Sequence, residues 1–145
     1  MKKKRSRWGF RIFLIVLFLV AIYLSMTTTT SIVRGSSMLD TFQDGDRVLV
    51  NNAYWLIGPI NRDDVVVVRR GEDEYAIKRV KYLPGDEVPL MYFPQNVRID
   101  SAPYHVPEGM VYVMGDNREV SEDSRMYGPV RQEDIVGKVV QVRPL

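Results

Sequence analysis

An unbroken apolar run near the N-terminus limits what this chain can fold into more than any other feature. Every residue from Ile12 to Leu24 is apolar except Tyr23. Counted through Thr30, the span is 19 residues, close to the roughly 20 residues that cross a hydrocarbon core of about 30 Å as a helix. We therefore expect residues 12–30 to form a transmembrane anchor in a lipid bilayer.

The residues before this span form a basic tail, residues 1–11. Its six basic side chains are Lys2, Lys3, Lys4, Arg5, Arg7 and Arg11. Since positively charged flanks stay on the cytoplasmic side, we expect a single-pass protein of the cell membrane with a cytoplasmic N-terminus and with residues 31–145 outside. A cleavable signal peptide would also place basic residues before an apolar stretch, but Tyr23 to Thr30 contains no small-x-small cleavage site.

The rest of the chain differs from the tail in charge. Residues 12–145 contain 14 basic and 18 acidic residues, a net charge of −4, so we expect no nucleic-acid partner. The chain has no Cys and a single His, His105. This excludes disulfides, Cys nucleophiles and Cys/His zinc sites. We therefore expect no metal and no cofactor, and a Ser-His-Asp triad would have to use His105.

Residues 31–145 have the pattern of an all-β domain. No sustained 3.6-residue apolar period follows residue 32, and short β-branched runs separated by Gly and Pro appear instead. The runs are Arg47 to Val50, Val65 to Val68, Tyr75 to Tyr82, Met110 to Met114 and Ile135 to Val142. We expect these runs to be the strands of one small folded sheet or barrel.

Three polar segments interrupt this pattern. Residues 35–42 are rich in small and polar side chains, which is typical of a turn. In residues 75–81, strand alternation places Lys78 on one face with small apolar side chains, although a charge that protects an edge strand would give the same pattern. Residues 115–125 are almost wholly polar and form either a solvated hairpin loop or a hydrogen-bonded network that supports a site.

The three segments together supply a serine, a lysine and a polar loop. Without a usable histidine, a Ser-Lys dyad is the form of nucleophilic catalysis open to this chain. An ordinary lysine has a pKa near 10.4, so only about one in 2,500 is neutral at pH 7. Lys78 can therefore act as a base only if apolar surroundings exclude water and disfavour its charged form.

These segments resemble the three motifs of the type I signal peptidases, in the order of that family. Residues 35–42, which read Gly-x-Ser-Met-x-x-Thr-Phe, are similar to its nucleophile motif. Residues 78–86, with Lys-Arg and then Pro-Gly-Asp, are similar to its lysine motif, and residues 115–130 are similar to its terminal motif. The resemblance covers nearly the whole chain, including the N-terminal anchor.

The resemblance implies a membrane-bound serine endopeptidase that removes N-terminal signal peptides from exported preproteins on an all-β fold. By position, Ser37 is the nucleophile and Lys78 the general base. The supporting residues would be Ser121, which orients the lysine amine, and the ion pair of Asp123 and Arg125. The nucleophile loop would include Gly35, Ser36 and Met38, with the Ser37 backbone N–H as an oxyanion donor.

The resemblance also implies how a substrate binds. A preprotein would lie extended, as an added strand along the segments before Ser37 and Lys78. Small apolar pockets would then select small side chains at positions −1 and −3 from the cleaved bond.

Three residues depart from the family pattern. Asp40 stands where relatives usually have Pro, and Asp63 and Tyr82 stand where they usually have Gly. Asp40 either raises the pKa of Lys78 through its charge or caps a turn and points away. One alternative function is a catalytically altered homologue that acts as an assembly or chaperone factor for surface proteins, and retention of Ser37 and Lys78 argues against it. An exported binding domain with a cleaved leader is the other alternative.

Overall fold

The chain folds into one long N-terminal helix followed by a β domain. The computed structural model describes residues 7–98 and 103–143. The basic residues Lys2, Lys3, Lys4 and Arg5 of the expected tail lie outside the described residues. The predicted fold class, an all-β domain preceded by one apolar helix, is confirmed.

Helix α1 comprises Arg7–Thr27. Its segment Trp8–Thr27 is long and apolar enough to cross a membrane, and the side chains from Trp8 to Met26 are exposed. Compared with the expected span of residues 12–30, the helix begins earlier and ends three residues sooner. It ends sooner because the threonines after Thr27 are β-branched and continue as a strand.

In the described residues the β domain has nine strands. Their bounds are β1 Thr28–Ile32, β2 Arg47–Asn51, β3 Val65–Arg69, β4 Tyr75–Tyr82, β5 Glu87–Val88, β6 Tyr104–His105, β7 Met110–Met114, β8 Val130–Arg131 and β9 Ile135–Arg143. Seven form one antiparallel sheet in the order β1-β2-β9-β3-β4-β7-β8, and β5 pairs with β6 separately. Two single-turn helices, α2 (Tyr54–Ile57) and α3 (Ser124–Tyr127), lie in the connections.

The five runs predicted from β-branched patterning all form strands, namely β2, β3, β4, β7 and β9. Among the described strands of five residues or more, β1 is the one that the sequence does not predict, because its threonines directly follow the apolar span and are compatible with its continuation. These threonines pair with β2 in a register that begins with Thr28 opposite Asn51.

The large sheet is bent into an open half-barrel. The pairing register shifts at bulges in β2, β3 and β4, and bulges increase the bend and twist of a strand. Strands β1 and β4 are separated by three strands in the sheet, yet residues from both line a single groove. The strands between them supply its floor, through Val50, Val67 and Val136.

Apolar clusters cover both faces of this sheet. Val67 belongs to a cluster with Met38 and Phe42 on the groove side. Val66 and Val68 belong to a second cluster, which includes Val residues of β4 and β7. Because successive residues of a strand point to opposite faces, the two clusters lie on opposite sides of β3. A third cluster packs β5 and β6 against β7.

Helix α1 joins the sheet with no intervening loop, since Thr27 ends the helix and Thr28 begins β1. The Asn52 N–H, just after β2, donates to the Thr27 carbonyl at 2.8 Å. The Thr28 hydroxyl donates to the Leu24 carbonyl at 3.0 Å, which satisfies one of the open carbonyls at the helix end. The end of the helix is therefore hydrogen-bonded to the edge of the sheet that borders the groove.

Candidate active site

Lys78 occupies the middle of β4 and is buried, with 4% of its surface exposed. Strand alternation places it beside the fully buried Val80, and it pairs across the ladder with Val66, which is also fully buried. Its Nζ donates a hydrogen bond to Ser121 Oγ at 3.1 Å. The apolar surroundings that a lysine base requires are thus present at this position.

This environment lowers the pKa of Lys78. Burial, which removes water from the ammonium, is the largest cause. The positive charges of Arg70 and Arg125 lower the pKa further, whereas the carboxylates of Asp123 and Glu122 raise it. The net direction is downward, so the neutral amine is more populated than in an ordinary solvated lysine.

Ser121 is held in place by an ion pair beneath it. Asp123 is completely buried and accepts two hydrogen bonds from the Arg125 guanidinium, at 2.8 and 2.9 Å. The same guanidinium donates to the backbone carbonyls of Arg118 and Ser121, at 2.8 and 3.3 Å. Arg125 therefore fixes the turn that presents the Ser121 hydroxyl to Lys78.

The Asp123 carboxylate remains charged despite its burial. Burial alone would raise its pKa, but hydrogen bonds from Arg125 and from the Gly115 N–H outweigh this, so that the pKa of Asp123 lies below its usual range. In return, the hydrogen bond to Asp123 raises the pKa of Arg125.

Ser37 lies in a turn between β1 and β2 and is half-buried. The side chain of Met38, which is 1% exposed, anchors the turn. The Met38 carbonyl accepts a hydrogen bond from the Phe42 N–H at 2.8 Å. The Ser37 carbonyl accepts from the Asn117 N–H at 3.0 Å. Neither the hydroxyl nor the N–H of Ser37 makes a hydrogen bond to any residue in 7–98 or 103–143, so both groups are available to a ligand.

Gly115 brings the serine turn and the terminal loop together. A Cβ on this residue would lie 2.1 Å from Ser121 Oγ and 2.6 Å from the Ser37 carbonyl oxygen. Only glycine fits between them. Ser37, Ser121 and Lys78 are thus assembled around one glycine, although no direct hydrogen bond joins Ser37 to Lys78 within the described chain.

The remaining residues predicted for the nucleophile loop lie at its surface. Gly35 has φ +84°, a conformation that glycine adopts freely, and its N–H donates to Asp44 at 2.7 Å. Ser36 is exposed, and its carbonyl accepts from the Leu39 N–H at 3.1 Å. His105 is exposed on β6, opposite Glu87.

A second network, which the sequence does not predict, occupies the opposite face of β4. Arg79 binds Asp116 through two hydrogen bonds, at 2.9 and 2.6 Å, and donates to the Thr41 hydroxyl at 3.1 Å and to the Asp63 carbonyl at 2.9 Å. Thr41 in turn donates to Asp116 at 2.5 Å. The network therefore joins the serine turn, β4 and the terminal loop. The sequence indicates this network in one respect: strand alternation requires Arg79 to face away from Lys78.

Two of the three departures from the family pattern, Asp63 and Asp40, lie at positions with positive φ. Asp63 has φ +66°, a region that glycine favours and that Asp tolerates better than most residues. Asp40 is exposed with φ +85°, whereas proline requires a φ near −65°, so the turn differs here from one that contains Pro. Tyr82 is half-buried and packs edge-on against Tyr112, with ring centroids 5.7 Å apart.

The groove beside Ser37 has a volume of about 700 Å³. One wall is the edge strand β1 together with residues up to Arg34, and the other is the beginning of β4, Tyr75 to Ile77. Ser37 and Met38 lie at the groove, and its floor is formed by valines. Ser37 thus lies at a groove with a valine floor and close to Ser121, which binds the buried Lys78, an arrangement that suits hydrolysis of an extended peptide.

Comparison with known proteins identifies the family. The family model described as "Signal peptidase, peptidase S26" matches residues 5–105 and 91–143. Signal peptidase IB of Staphylococcus aureus is 30% identical, over 96% of this chain and 89% of the relative. Signal peptidase I of Bacillus caldolyticus is also 30% identical, over 95% of this chain and 90% of the relative.

A solved structure of a signal peptidase I from Enterococcus faecalis is 26% identical, covers 57% of this chain and 97% of its own chain, and has a TM-score of 0.42. The family model and the curated relatives define the class, a peptidase. The chain belongs to the signal peptidase family, peptidase S26, and acts in the cleavage of signal peptides. The predicted resemblance is therefore confirmed.

Proposed function

We propose that this signal peptidase works through a Ser-Lys dyad formed by Ser37 and Lys78. The observation that carries the proposal is the Lys78 amine, which is buried, has a lowered pKa and is hydrogen-bonded to Ser121. The neutral amine removes the proton from Ser37 Oγ as the oxygen attacks the carbonyl carbon of the cleaved peptide bond. The resulting ammonium donates that proton to the leaving amine as the C–N bond breaks.

The second half of the reaction uses the same groups. Lys78 takes a proton from water as the water oxygen attacks the acyl-serine ester. The C–Oγ bond breaks, the proton returns to Ser37, and the signal peptide leaves as a carboxylic acid that ionises in solution. The Ser37 N–H, which has no hydrogen-bond partner in the part of the chain that the structure describes, is suited to donate to the oxyanion in both steps.

The loop residues hold the base and do not contact the reacting atoms. In this proposal Ser121 accepts from Lys78 and directs the amine, while Arg125 and Asp123 fix the Ser121 turn. Gly35, Ser36 and Met38 shape the serine turn.

The groove supports binding of the preprotein as an added strand. Edge strand β1 and the first residues of β4 offer backbone groups on both sides of an extended chain. Side chains of such a strand alternate in direction, so those at −1 and −3 would both face the valine floor. We propose that this floor selects small residues at these two positions.

We also propose the membrane arrangement that the basic tail predicts. The N-terminus lies in the cytoplasm, the helical segment Trp8–Thr27 crosses the bilayer in place of the expected residues 12–30, and the β domain that begins at Thr28 lies outside as the catalytic domain. The apolar surface of α1 supports an anchor, and its direct continuation into β1 would keep the groove next to the membrane.

The test is a preprotein processing assay with purified full-length protein. Ser37→Ala and Lys78→Ala should each lower kcat by at least about a thousandfold, and the double variant should be little worse, because the two residues act as a unit. His105→Ala is the control and should retain full activity, since His105 lies on the surface. A folded Lys78→Ala variant with substantial activity, or an inactive but folded His105→Ala, would refute the dyad.

A further inference from the structure

Arg70 connects the β3–β4 hairpin to the loop that carries Ser121. Its Nη1 lies 3.4 Å from Glu122 Oε2, and its guanidinium carbon lies 4.5 Å from the centre of the Tyr127 ring. Its backbone N–H donates to the Glu74 carbonyl at 2.8 Å, which fixes the hairpin end from which the side chain projects. Glu122 and Tyr127 stand on either side of the buried Asp123–Arg125 ion pair, so Arg70 touches that loop at both ends.

The Arg70 guanidinium lies over the face of the Tyr127 ring and makes no hydrogen bond to the Tyr127 hydroxyl. Burial is the largest cause that raises the pKa of Tyr127, to about 12, so the phenol stays neutral. Its hydroxyl is buried and has no hydrogen-bond partner within the described residues. A guanidinium stacked on an aromatic face is held by a cation–π interaction, which is stronger where water is excluded. Arg70 is therefore held in one place, and its charge is kept near the site.

We propose that Arg70 is a positioning residue for the reaction, which fixes the Ser121 loop and, as a charge opposed to Glu122, sets how readily the Lys78 amine gives up its proton. This inference rests on the proposed function, in which Lys78 is the base. Arg70 is a permanent cation and disfavours the charged form of Lys78, whereas the Glu122 carboxylate favours it.

The other groups that face Lys78 act in addition to this pair. Burial is the largest influence on the pKa of Lys78 and lowers it. Four charges follow in decreasing order of effect: Asp123 and Glu122 raise the pKa, and Arg70 and Arg125, which rank after Asp123 and after Glu122 respectively, lower it. Asp123 and Arg125 bind each other and hold the loop, so neither can be changed without moving Ser121. Arg70 and Glu122 are the two charges that can be altered from outside that ion pair.

The experiment is a charge cycle read from the pH profile of kcat/KM, whose acidic limb reports the base of the free enzyme. Arg70→Gln should move the limb upward by roughly half a unit to one unit, with activity at lower pH falling about three- to tenfold. Glu122→Gln should move it downward, and the double variant should return it close to that of the wild type. Arg69→Gln is the matched control, because Arg69 is bound to Asp134 instead, and its limb should not move.

A second series separates charge from anchoring. Arg70→Lys keeps the charge but loses the planar contact with Tyr127 and Glu122, so the limb should stay in place while kcat falls a few-fold. If Arg70→Gln does not fold, the downward shift in Glu122→Gln tests the charge effect alone. An unmoved limb in both charge variants, or a shift of the same sign in both, would overturn the proposal.

Direct titration of Lys78 separates this proposal from the dyad itself. The full-length protein with isotope-labelled lysine gives an NMR signal for each side chain, and the Lys78 signal is the one absent from Lys78→Arg. If the Lys78 pKa moves as expected in Arg70→Gln while the activity limb stays fixed, Lys78 is not the base and the dyad fails, whereas the Arg70 effect stands. If the Lys78 pKa does not move, the Arg70 proposal fails and the dyad is untouched.

Discussion

Lys78 and Arg79 are neighbours on β4, but alternation places them in two different environments. Lys78 lies beside the buried Val66 and Val80, and its one hydrogen bond within the described residues goes to the neutral hydroxyl of Ser121. Arg79 makes four hydrogen bonds, two of them to the Asp116 carboxylate. Burial lowers the pKa of Lys78, whereas the hydrogen bond to Asp116 raises that of Arg79. Two adjacent basic residues are thus driven toward opposite charge states.

The difference shows how a single strand can both carry a base and hold it in place. An amine that must lose a proton has to be kept away from carboxylates, while a guanidinium that must stay charged benefits from one. Arg79 joins the serine turn to the terminal loop through Thr41 and Asp116, so it fixes the distance between the groups that the Lys78 face uses. The Arg79 face joins the serine turn to the terminal loop, and the Lys78 face carries the base, whose partner Ser121 is fixed by the Asp123–Arg125 ion pair.

The most direct way to break this comparison is to exchange the two basic residue types. Lys78→Arg should abolish processing, with a fall of at least about a thousandfold, because a guanidinium cannot be deprotonated near neutral pH. Arg79→Lys keeps the charge opposite Asp116 but loses the two-pronged contact and the guanidinium geometry that also reaches Thr41 and Asp63, so kcat/KM should fall about tenfold or less. The measurement is preprotein cleavage by each full-length variant. An equal loss in both variants would mean that the two faces do not have separate roles.

The next test compares the two carboxylates. Asp123→Asn removes a charge that is wholly buried and leaves Arg125 unpaired, which should cost about 3–5 kcal/mol of stability. Asp116→Asn alters a partly exposed pair and should cost about 1–2 kcal/mol. The free energy of unfolding of both variants in detergent, with the wild type as reference, measures the difference. A smaller loss in Asp123→Asn than in Asp116→Asn would contradict the assignment of the buried pair.

The same pair of variants gives an expected pH dependence. The folded-state pKa of Asp123 lies below its unfolded value of about 3.9, so its contribution to stability is fully present above that value and is lost as the pH falls through the folded pKa. The difference in stability between wild type and Asp123→Asn should therefore be constant near neutrality and shrink in strong acid.

Much of this arrangement could be predicted from the sequence. The β-branched runs fix the longer strands, because side-chain period and branching determine which segments can pair and bury one face. Lys78 could be placed on a face with small apolar side chains for the same reason, whereas its assignment with Ser37 as a dyad came from the resemblance to the family motifs. The roles of Ser121, Asp123 and Arg125 came from the family motif and not from local pattern.

What the sequence leaves open depends on contacts between distant segments. Arg79 is hydrogen-bonded to Thr41, 38 positions away, and to Asp116, 37 positions away. No periodic pattern in the local sequence predicts such long-range contacts. The sequence does not predict strand β1, because threonine is compatible with both the end of an apolar helix and an edge strand. The need for glycine at position 115 appears only when the serine turn and Ser121 are packed against it.

The smallest expected effect concerns Asp40, which adjoins Thr41 on the Arg79 side and is close in sequence to Ser37. Its side chain is exposed and makes no hydrogen bond or ion pair with a residue in the described ranges, and its φ of +85° suits a turn residue. Asp40→Asn preserves this conformation, since Asn also tolerates positive φ, so the acidic limb of kcat/KM should not move. Glu122→Gln, the same carboxylate-to-amide change beside the buried base, is the matched control and should move it. A downward shift in Asp40→Asn as large as that in Glu122→Gln would show that Asp40 acts on Lys78, and the division of charges between the two faces of β4 would have to be abandoned.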